Sequence, residues 1–214
     1  MDKLLIIGAS GHGKVIANIA ADCGEWDEIS FLDDNPQRIG TSVLGRFKVI
    51  DNTQTLEPYL KEYSFVVGIG DAYIREKITK MLLGKGAILA TIIHPSVVIG
   101  LDVKIGRGTV IMPNCVINCS TTIGEGCIIN TGSTIDHDCY IESFVHLSPG
   151  VKISGAVKIS YRTWLGTGTI VINNIAITND CKIGAGAVVV KDMLISGVYI
   201  GVPAKLFKEV IHSW

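Results

Sequence analysis

Ile123-Gly-Glu-Gly-Cys-Ile-Ile-Asn-Thr-Gly-Ser-Thr-Ile-Asp-His-Asp-Cys-Tyr-Ile141 places an aliphatic residue at every sixth position. The spacing extends both ways without a change of phase: Ile93, Ile99, Ile105, Ile111, Ile117, Ile123, Ile129, Ile135, Ile141, Leu147, Ile153, Ile159, Leu165, Val171, Ile177, Ile183 and Val189, all 17 of them aliphatic. A period of six is neither the 3.6 of an α-helix nor plain strand alternation. It fits a β-solenoid of short strands and turns, with three hexads to a triangular coil. Four residues after each of these positions, most hexads carry a small or β-branched residue, such as Val97, Val103, Thr109, Cys115, Thr121, Cys127, Ser133, Cys139 and Val145. One large and one small inward position per hexad would fill a narrow triangular interior.

The chain has 214 residues, 48% of them hydrophobic and 18% charged, with a formal net charge of −1. That composition excludes a disordered chain and gives no electrostatic reason to expect nucleic acid. No stretch approaches the roughly 18 apolar residues of a membrane span. The apolar run Leu4 to Ile7 ends at Gly8, too soon for a signal peptide, so the reading is a cytoplasmic protein with no membrane insertion. Of the six cysteines, Cys115, Cys127, Cys139 and Cys181 fall in the small inward slot, where a reduced thiol packs as a small hydrophobe. Cys23 and Cys119 fall outside it, and no C-x-x-C supports a zinc ribbon.

Residues 1–87 follow a different pattern. Lys3–Ile7 reads as a buried strand and Gly8-Ala-Ser-Gly-His-Gly13 as a turn, followed by a helix over Lys14–Cys23. Ile29–Leu32 and Phe65–Ile69 read as further strands, closed by Asp33-Asp34 and Gly70-Asp71, with a helix from about Tyr73 to Leu83. Strands alternating with helices imply a small Rossmann-like α/β domain with a glycine-rich turn at the carboxyl edge of a parallel sheet. The glycines spell G-x-x-G-x-G, not the dinucleotide fingerprint. They nearly spell a P-loop, but Val15 stands where Ser or Thr must hold Mg²⁺, which disfavours an NTPase. Two readings remain: a plain tight turn, or backbone N–H groups holding a phosphate or sugar, with His12 projecting into the site. Residues 88–194 are the solenoid. Residues 195–214 form a capping tail with Gly201-Val-Pro-Ala-Lys205 and an expected short terminal helix.

Asp136-His137-Asp138 occupies positions two to four of its hexad, the corner, so the imidazole points outward. Flanking carboxylates raise its pKa and fix its tautomer, and such a histidine can take a proton from an attacking amine or hydroxyl. A solvated surface turn is the plainer reading. His146 takes the sixth position of a hexad, and His94 precedes Pro95 as a turn residue. With no close histidine pair, zinc held across subunits is disfavoured and no metal ligands are assigned.

The hexads Ile105-Gly-Arg-Gly108, Ile123-Gly-Glu-Gly126 and Ile183-Gly-Ala-Gly186, joined to a Gly-Ala-Ser-Gly-His-Gly domain, resemble the left-handed β-helix acyltransferases. The chain is similar to the bacterial sugar O- and N-acetyltransferases, a family that includes sialic acid O-acetyltransferases and nucleotide-activated aminosugar N-acetyltransferases. Shared features run from Gly8–Gly13 through Phe31-Leu-Asp-Asp34, Ile69-Gly-Asp71, Asn130-Thr131, His137 and His146 to Gly201–Lys205. The resemblance implies a left-handed parallel β-helix and a homotrimer with acetyl-CoA in the groove between neighbours. It implies N-acetylation of the 4-amino group of a UDP-linked amino-dideoxy sugar. Gly11, His12 and Gly70 would lie near the phosphates and sugar, and Asp33 or Asp34 near the uracil. His137 would be the general base. Asn130 and His146 would line the sugar and acetyl-CoA site, backbone near Gly155 would hold the thioester carbonyl, and Lys205 would belong to the acetyl-CoA site. Asp138 stands where the family has Glu, so either Asp138 or Asp136 orients the base. The alternative is O-acetylation of sialic acid or another glycan in the same groove. A non-catalytic nucleotide-sugar sensor and a zinc lyase are readings from other classes.

Overall fold

The computed structural model describes residues 2–209, in two compact units, Met1–Pro95 and Ser96–Trp214. In the first, β1 (Lys3–Ile7), β2 (Glu28–Leu32), β3 (Ser42–Val43), β4 (Phe47–Asp51), β5 (Tyr63–Val67) and β6 (Ile88–Leu89) form one sheet in the order β3-β4-β2-β1-β5-β6. Every pairing is parallel except β3 with β4, and the central β1 is buried from Leu4 to Ile7. Two helices, α1 (Gly11–Cys23) and α2 (Ala72–Gly84), provide the crossovers.

Three details differ from the sequence reading. The helix α1 begins at Gly11 and not Lys14, because the extended Ser10 ends the turn and its carbonyl already accepts the Lys14 N–H at 2.9 Å. The strand β5 starts at Tyr63, two residues early, since the backbone partners of β1 run Lys3↔Tyr63 to Ile7↔Val67. The β3–β4 hairpin was not anticipated. Its loop is Leu44-Gly45-Arg46, with Leu44 (φ 52) and Gly45 (φ 65) both left-handed and the Arg46 N–H donating to the Val43 carbonyl at 3.2 Å.

The second unit is a column of two-residue strands. Each strand pairs in parallel with the strand 18 residues on, as in Val116↔Thr134↔Lys152 and Thr122↔Tyr140↔Lys158. One face stacks six strands, from Val98–Ile99 to Val188–Val189, and a second stacks five, from Lys104–Ile105 to Ala176–Ile177. The third carries Val110–Ile111, Ile128–Ile129, His146–Leu147, Trp164–Leu165 and Lys182–Ile183. From Ile111 to Val189 the hexad aliphatics are nearly inaccessible, whereas Ile99 in the first coil is 42% exposed, because within this unit a first coil has a neighbour on one side only. Truncating one of the buried isoleucines to Ala would cost about 2–5 kcal/mol.

The small slot has a second task. Thr109, Thr121, Ser133 and Thr163 each donate a hydroxyl hydrogen bond to the corner carbonyl of the next coil, at 2.8–3.1 Å. Cys115, Cys127 and Cys139 direct their thiols to the equivalent carbonyls at 3.1–3.2 Å. Slot cysteines are therefore reduced, buried stand-ins for Thr, and every described cysteine is free. The expected terminal helix is a strand as far as residue 209: Gly197–Ile200 and Lys205–Glu209 pair antiparallel. Gly197–Ile200 also pairs with the final coil, whose open edge needs backbone partners. Residues 210–214 of the tail lie outside the described residues.

Candidate active site at a corner of the β-helix

At one corner the chain leaves inward Ile135, turns through Asp136, His137 and Asp138, and re-enters at Cys139. The reversal rests on Asp138, whose φ of 58° is left-handed, a conformation Asp tolerates better than most residues. The turn throws the His137 side chain outward, 54% exposed.

Both acidic neighbours serve the histidine, in different ways. Asp138 Oδ2 lies 2.7 Å from His137 Nδ1. That contact assigns the proton to Nδ1 and leaves Nε2 as the acceptor. Asp136 Oδ1 instead accepts the His137 backbone N–H at 2.9 Å, and the same oxygen accepts Asn118 Nδ2 at 2.7 Å from one coil earlier. The Asp138 hydrogen bond, then the charge of Asp136, raise the His137 pKa above its ordinary value. The Asn118 amide and then the His137 N–H hold Asp136 below the usual carboxylate range. The question left open by the sequence thus has a divided answer: Asp138 orients the ring and Asp136 the backbone.

Gly155 occupies the same corner one coil later. A Cβ placed there would lie 2.6 Å from His137 Nε2 and 2.7 Å from Cε1, so the imidazole rests against the bare α-carbon. The His137 carbonyl accepts the Ala156 N–H at 2.9 Å, which fixes the two corners in register. The Gly155 N–H has no acceptor among the described residues. An imidazole acceptor beside an unused amide donor is the arrangement that proton removal from a nucleophile, with stabilisation of an oxyanion, requires.

Asn130 and His146 are not on this corner. Asn130 turns the preceding corner, where its Oδ1 accepts the Thr131 N–H at 2.8 Å. His146 begins the strand His146–Leu147 and stacks on Trp164 of the next coil, with ring centroids 5.9 Å apart and planes 14° apart. Trp164 donates its Nε1 hydrogen to Ser148 Oγ at 2.8 Å. Lys205 lies exposed in the terminal strand. Sequence reasoning missed Asn118, although the coil register would have found it directly below Asp136.

In the first unit, the glycine-rich turn is tight because Gly8 (φ 99°) and Gly13 touch: a Cβ on Gly13 would lie 2.0 Å from the Gly8 carbonyl oxygen. Gly11, by contrast, faces open space. The Nε2 atom of His12 is buried without a hydrogen-bond partner in the described structure. Burial, then the Arg75 guanidinium, lower the His12 pKa to about 4, so its imidazole is neutral. Arg75 itself is 1% exposed and donates Nη1 to the carbonyls of Ile69 and Gly70 at 3.1 and 2.7 Å. Asp33 spends its carboxylate on the N–H groups of Ala9 (2.7 Å) and Asn35 (2.9 Å), and Asp34 on Thr53 N–H (2.9 Å) and Oγ1 (2.7 Å). An open cleft of about 190 Å³ lies beside the turn, lined by Ala9, Lys14, Arg38, Thr41, Ser42, Val43, Leu44 and Val49. His94 contacts Asp22, with Nε2 3.6 Å from Oδ2. Among the described residues no three His, Cys, Asp or Glu side chains gather as metal ligands, and no helix is long and apolar enough to cross a membrane.

Comparison with known proteins adds to this geometry. Residues 3–82 match the PglD N-terminal domain family, and residues 102–137 match the bacterial transferase hexapeptide (six repeats) family. A GDP-perosamine N-acetyltransferase of Escherichia coli O157:H7 is 32% identical over 187 residues, covering 85% of this chain and 82% of its own. The acetyltransferase domain of PglB from Neisseria gonorrhoeae FA1090, solved in complex with acetyl coenzyme A, is 37% identical with a TM-score of 0.91, covering 96% of this chain and 98% of its own. A perosamine N-acetyltransferase from Caulobacter crescentus, solved as a histidine-to-asparagine mutant with CoA and GDP-perosamine, is 36% identical with a TM-score of 0.90 and 98% coverage of both chains.

Proposed function

The chain belongs to the hexapeptide-repeat sugar N-acetyltransferases that carry a PglD-type N-terminal domain, and from that premise we propose its reaction in detail. It transfers the acetyl group of acetyl-CoA to the 4-amino group of a nucleotide-linked amino-dideoxy sugar, with His137 as general base. The observation that carries this reading is the His137 corner, where Asp138 holds Nδ1 and the ring rests on Gly155.

The neutral amine attacks the thioester carbonyl carbon, and His137 Nε2 accepts the proton the amine loses as the C–N bond forms. The Gly155 N–H donates to the developing oxyanion. When the C–S bond breaks, the CoA sulfur leaves with the electron pair and takes a proton, which the imidazolium can supply. Asp138 keeps the imidazole in the working tautomer and stabilises its protonated form. No cysteine is needed: the slot thiols of Cys115, Cys139 and Cys181 are buried and pushed above the ordinary thiol range, chiefly by that burial.

The nucleotide is bound by the first unit. Gly11 leaves room for a phosphate at the start of α1, neutral His12 and the buried Arg75 lie behind the turn, and Lys14 and Arg38 line the neighbouring cleft. Asp33 and Asp34 act there by fixing the loops that shape the site, through Ala9 and Thr53. The resemblance points to UDP. A second reading, GDP, is favoured by the relative that matches 85% of this chain, which is named for a GDP sugar. Separate titrations with UDP and GDP decide between them.

The active assembly is a homotrimer. Tyr140, Trp164 and Ile170 are 49%, 46% and 43% exposed on the flat faces, apolar area that a neighbouring column would cover. In that assembly Asn130 and His146 of one protomer line the cleft that contains His137 of another, and Lys205 lies along the acetyl-CoA. The decisive test is His137→Ala, which is expected to lower kcat by roughly 10²–10⁴ while melting unchanged. Turnover near that of the unaltered protein would remove His137 as the base.

A further inference from the structure

His137 is the last member of a three-residue chain that begins one coil below it. Asn118 stands 18 residues before Asp136 and donates Nδ2 to Asp136 Oδ1 at 2.7 Å; that oxygen also accepts the His137 N–H at 2.9 Å. At the preceding corner, Asn130 bonds the Thr131 N–H in the same local way. There the residue one coil below is Met112, which has no amide to donate. The local bond is therefore ordinary corner chemistry, and the inter-coil amide is an addition at the corner that carries the base.

We infer that Asn118 is a positioning residue for catalysis, acting through Asp136 on His137. This rests on the reading of His137 as base. A carboxylate fixed by two donors on one oxygen cannot swing into solvent. Its charge therefore stays close to the imidazole, and the backbone of His137 stays in the orientation that brings Nδ1 to Asp138. Without the amide, Asp136 keeps only its local bond, its charge is better screened, and His137 becomes less basic and less ordered. Asn118 is exposed, so its replacement leaves no cavity in the column.

The test uses the full-length protein as Asn118→Ala and Asn118→Asp, the latter of the same shape but lacking the amide donor. Steady-state kcat and KM are measured across pH, and the His137 ring is titrated by NMR. Asn118→Ala is expected to lower kcat about 3–10-fold, the scale of one partly exposed charged hydrogen bond, with KM changed less than about twofold. It also moves the His137 titration to lower pH. Asn118→Asp, unable to donate and facing a like charge, is expected to lose at least as much. Unchanged kcat and an unchanged titration in both variants, alongside an inactive His137→Ala, would overturn the inference. An active His137→Ala would instead overturn the base assignment, and the titration alone would then decide whether Asn118 holds the ring.

Discussion

Gly155→Ala separates the placement of the base from everything else in the site. The new Cβ would stand 2.6 Å from His137 Nε2 and 2.7 Å from Cε1. Carbon–carbon contacts settle at about 3.5–4.0 Å, so the two groups must part by roughly 1 Å. Gly155 is not in the left-handed region, so its backbone accepts alanine without strain. The imidazole is the end of a half-exposed side chain, so it is the ring that moves. Its Nδ1 contact with Asp138, 2.7 Å long, has no slack to absorb that displacement. Misplacement of a catalytic group by 1 Å costs about 10²-fold, so kcat is expected to fall roughly 30–300-fold. Alanine keeps its own N–H, which leaves the oxyanion donor in place. Gly155 is buried, but the nearest atoms its Cβ would meet belong to the half-exposed His137 ring, which can swing away, so thermal unfolding is expected to move by less than about 4 °C, on the order of 1 kcal/mol for a chain of this size. The assay is steady-state acetyl transfer beside a melting curve. A variant within threefold of normal kcat would refute the steric argument, and a large drop in melting temperature would show that the corner itself had failed.

Two further outcomes follow from the titrating groups. The base works only when neutral, so activity appears as pH rises through its pKa; Asp138 is the largest cause of that pKa being raised. Asp138→Asn is therefore expected to move the acid limb of kcat/KM to lower pH while reducing kcat at least about tenfold, and a limb that stays in place would show that Asp138 is not the partner. His12 has a folded pKa of about 4 against 6.5 in the free side chain. As pH falls the unfolded chain binds this proton first, so stability present above pH 6.5 is lost on the way down to 4, by at most about 3 kcal/mol. In His12→Asn that part of the acid destabilisation disappears, and equal losses between neutral pH and pH 4 in both proteins would contradict the burial argument.

The column was legible because its signal is redundant. The aliphatic from Ile93 to Val189 recurs without slippage, and an i to i+18 ladder follows from three hexads per coil. The outward imidazole was legible for the same reason, since a residue at the third position of a hexad is at a corner. Partners set by local geometry were not. Periodicity does not say that Asp136 turns back to an N–H while Asp138 reaches the ring; that depends on the left-handed φ of Asp138. The terminal strand Lys205–Glu209 lacks a helix-breaking residue, and only the free edge of Gly197–Ile200, which itself pairs with the last coil, decides for a strand. The β3–β4 hairpin did leave a trace, Phe47-Lys48-Val49, whose alternating burial is the period-two pattern of a half-buried strand. The i to i+18 ladder places Gly155 one coil after His137, but that the imidazole lies against its α-carbon depends on the side-chain torsions of His137, which neither pitch nor composition gives.

The most direct test of the account is a structure of the protein with CoA and a nucleotide-linked 4-amino sugar bound. The sugar amine is expected within about 3.2 Å of His137 Nε2, in a cleft that a second protomer helps to line. An amine held beyond the reach of that nitrogen, or an imidazole folded inward among the stacked isoleucines, would contradict it.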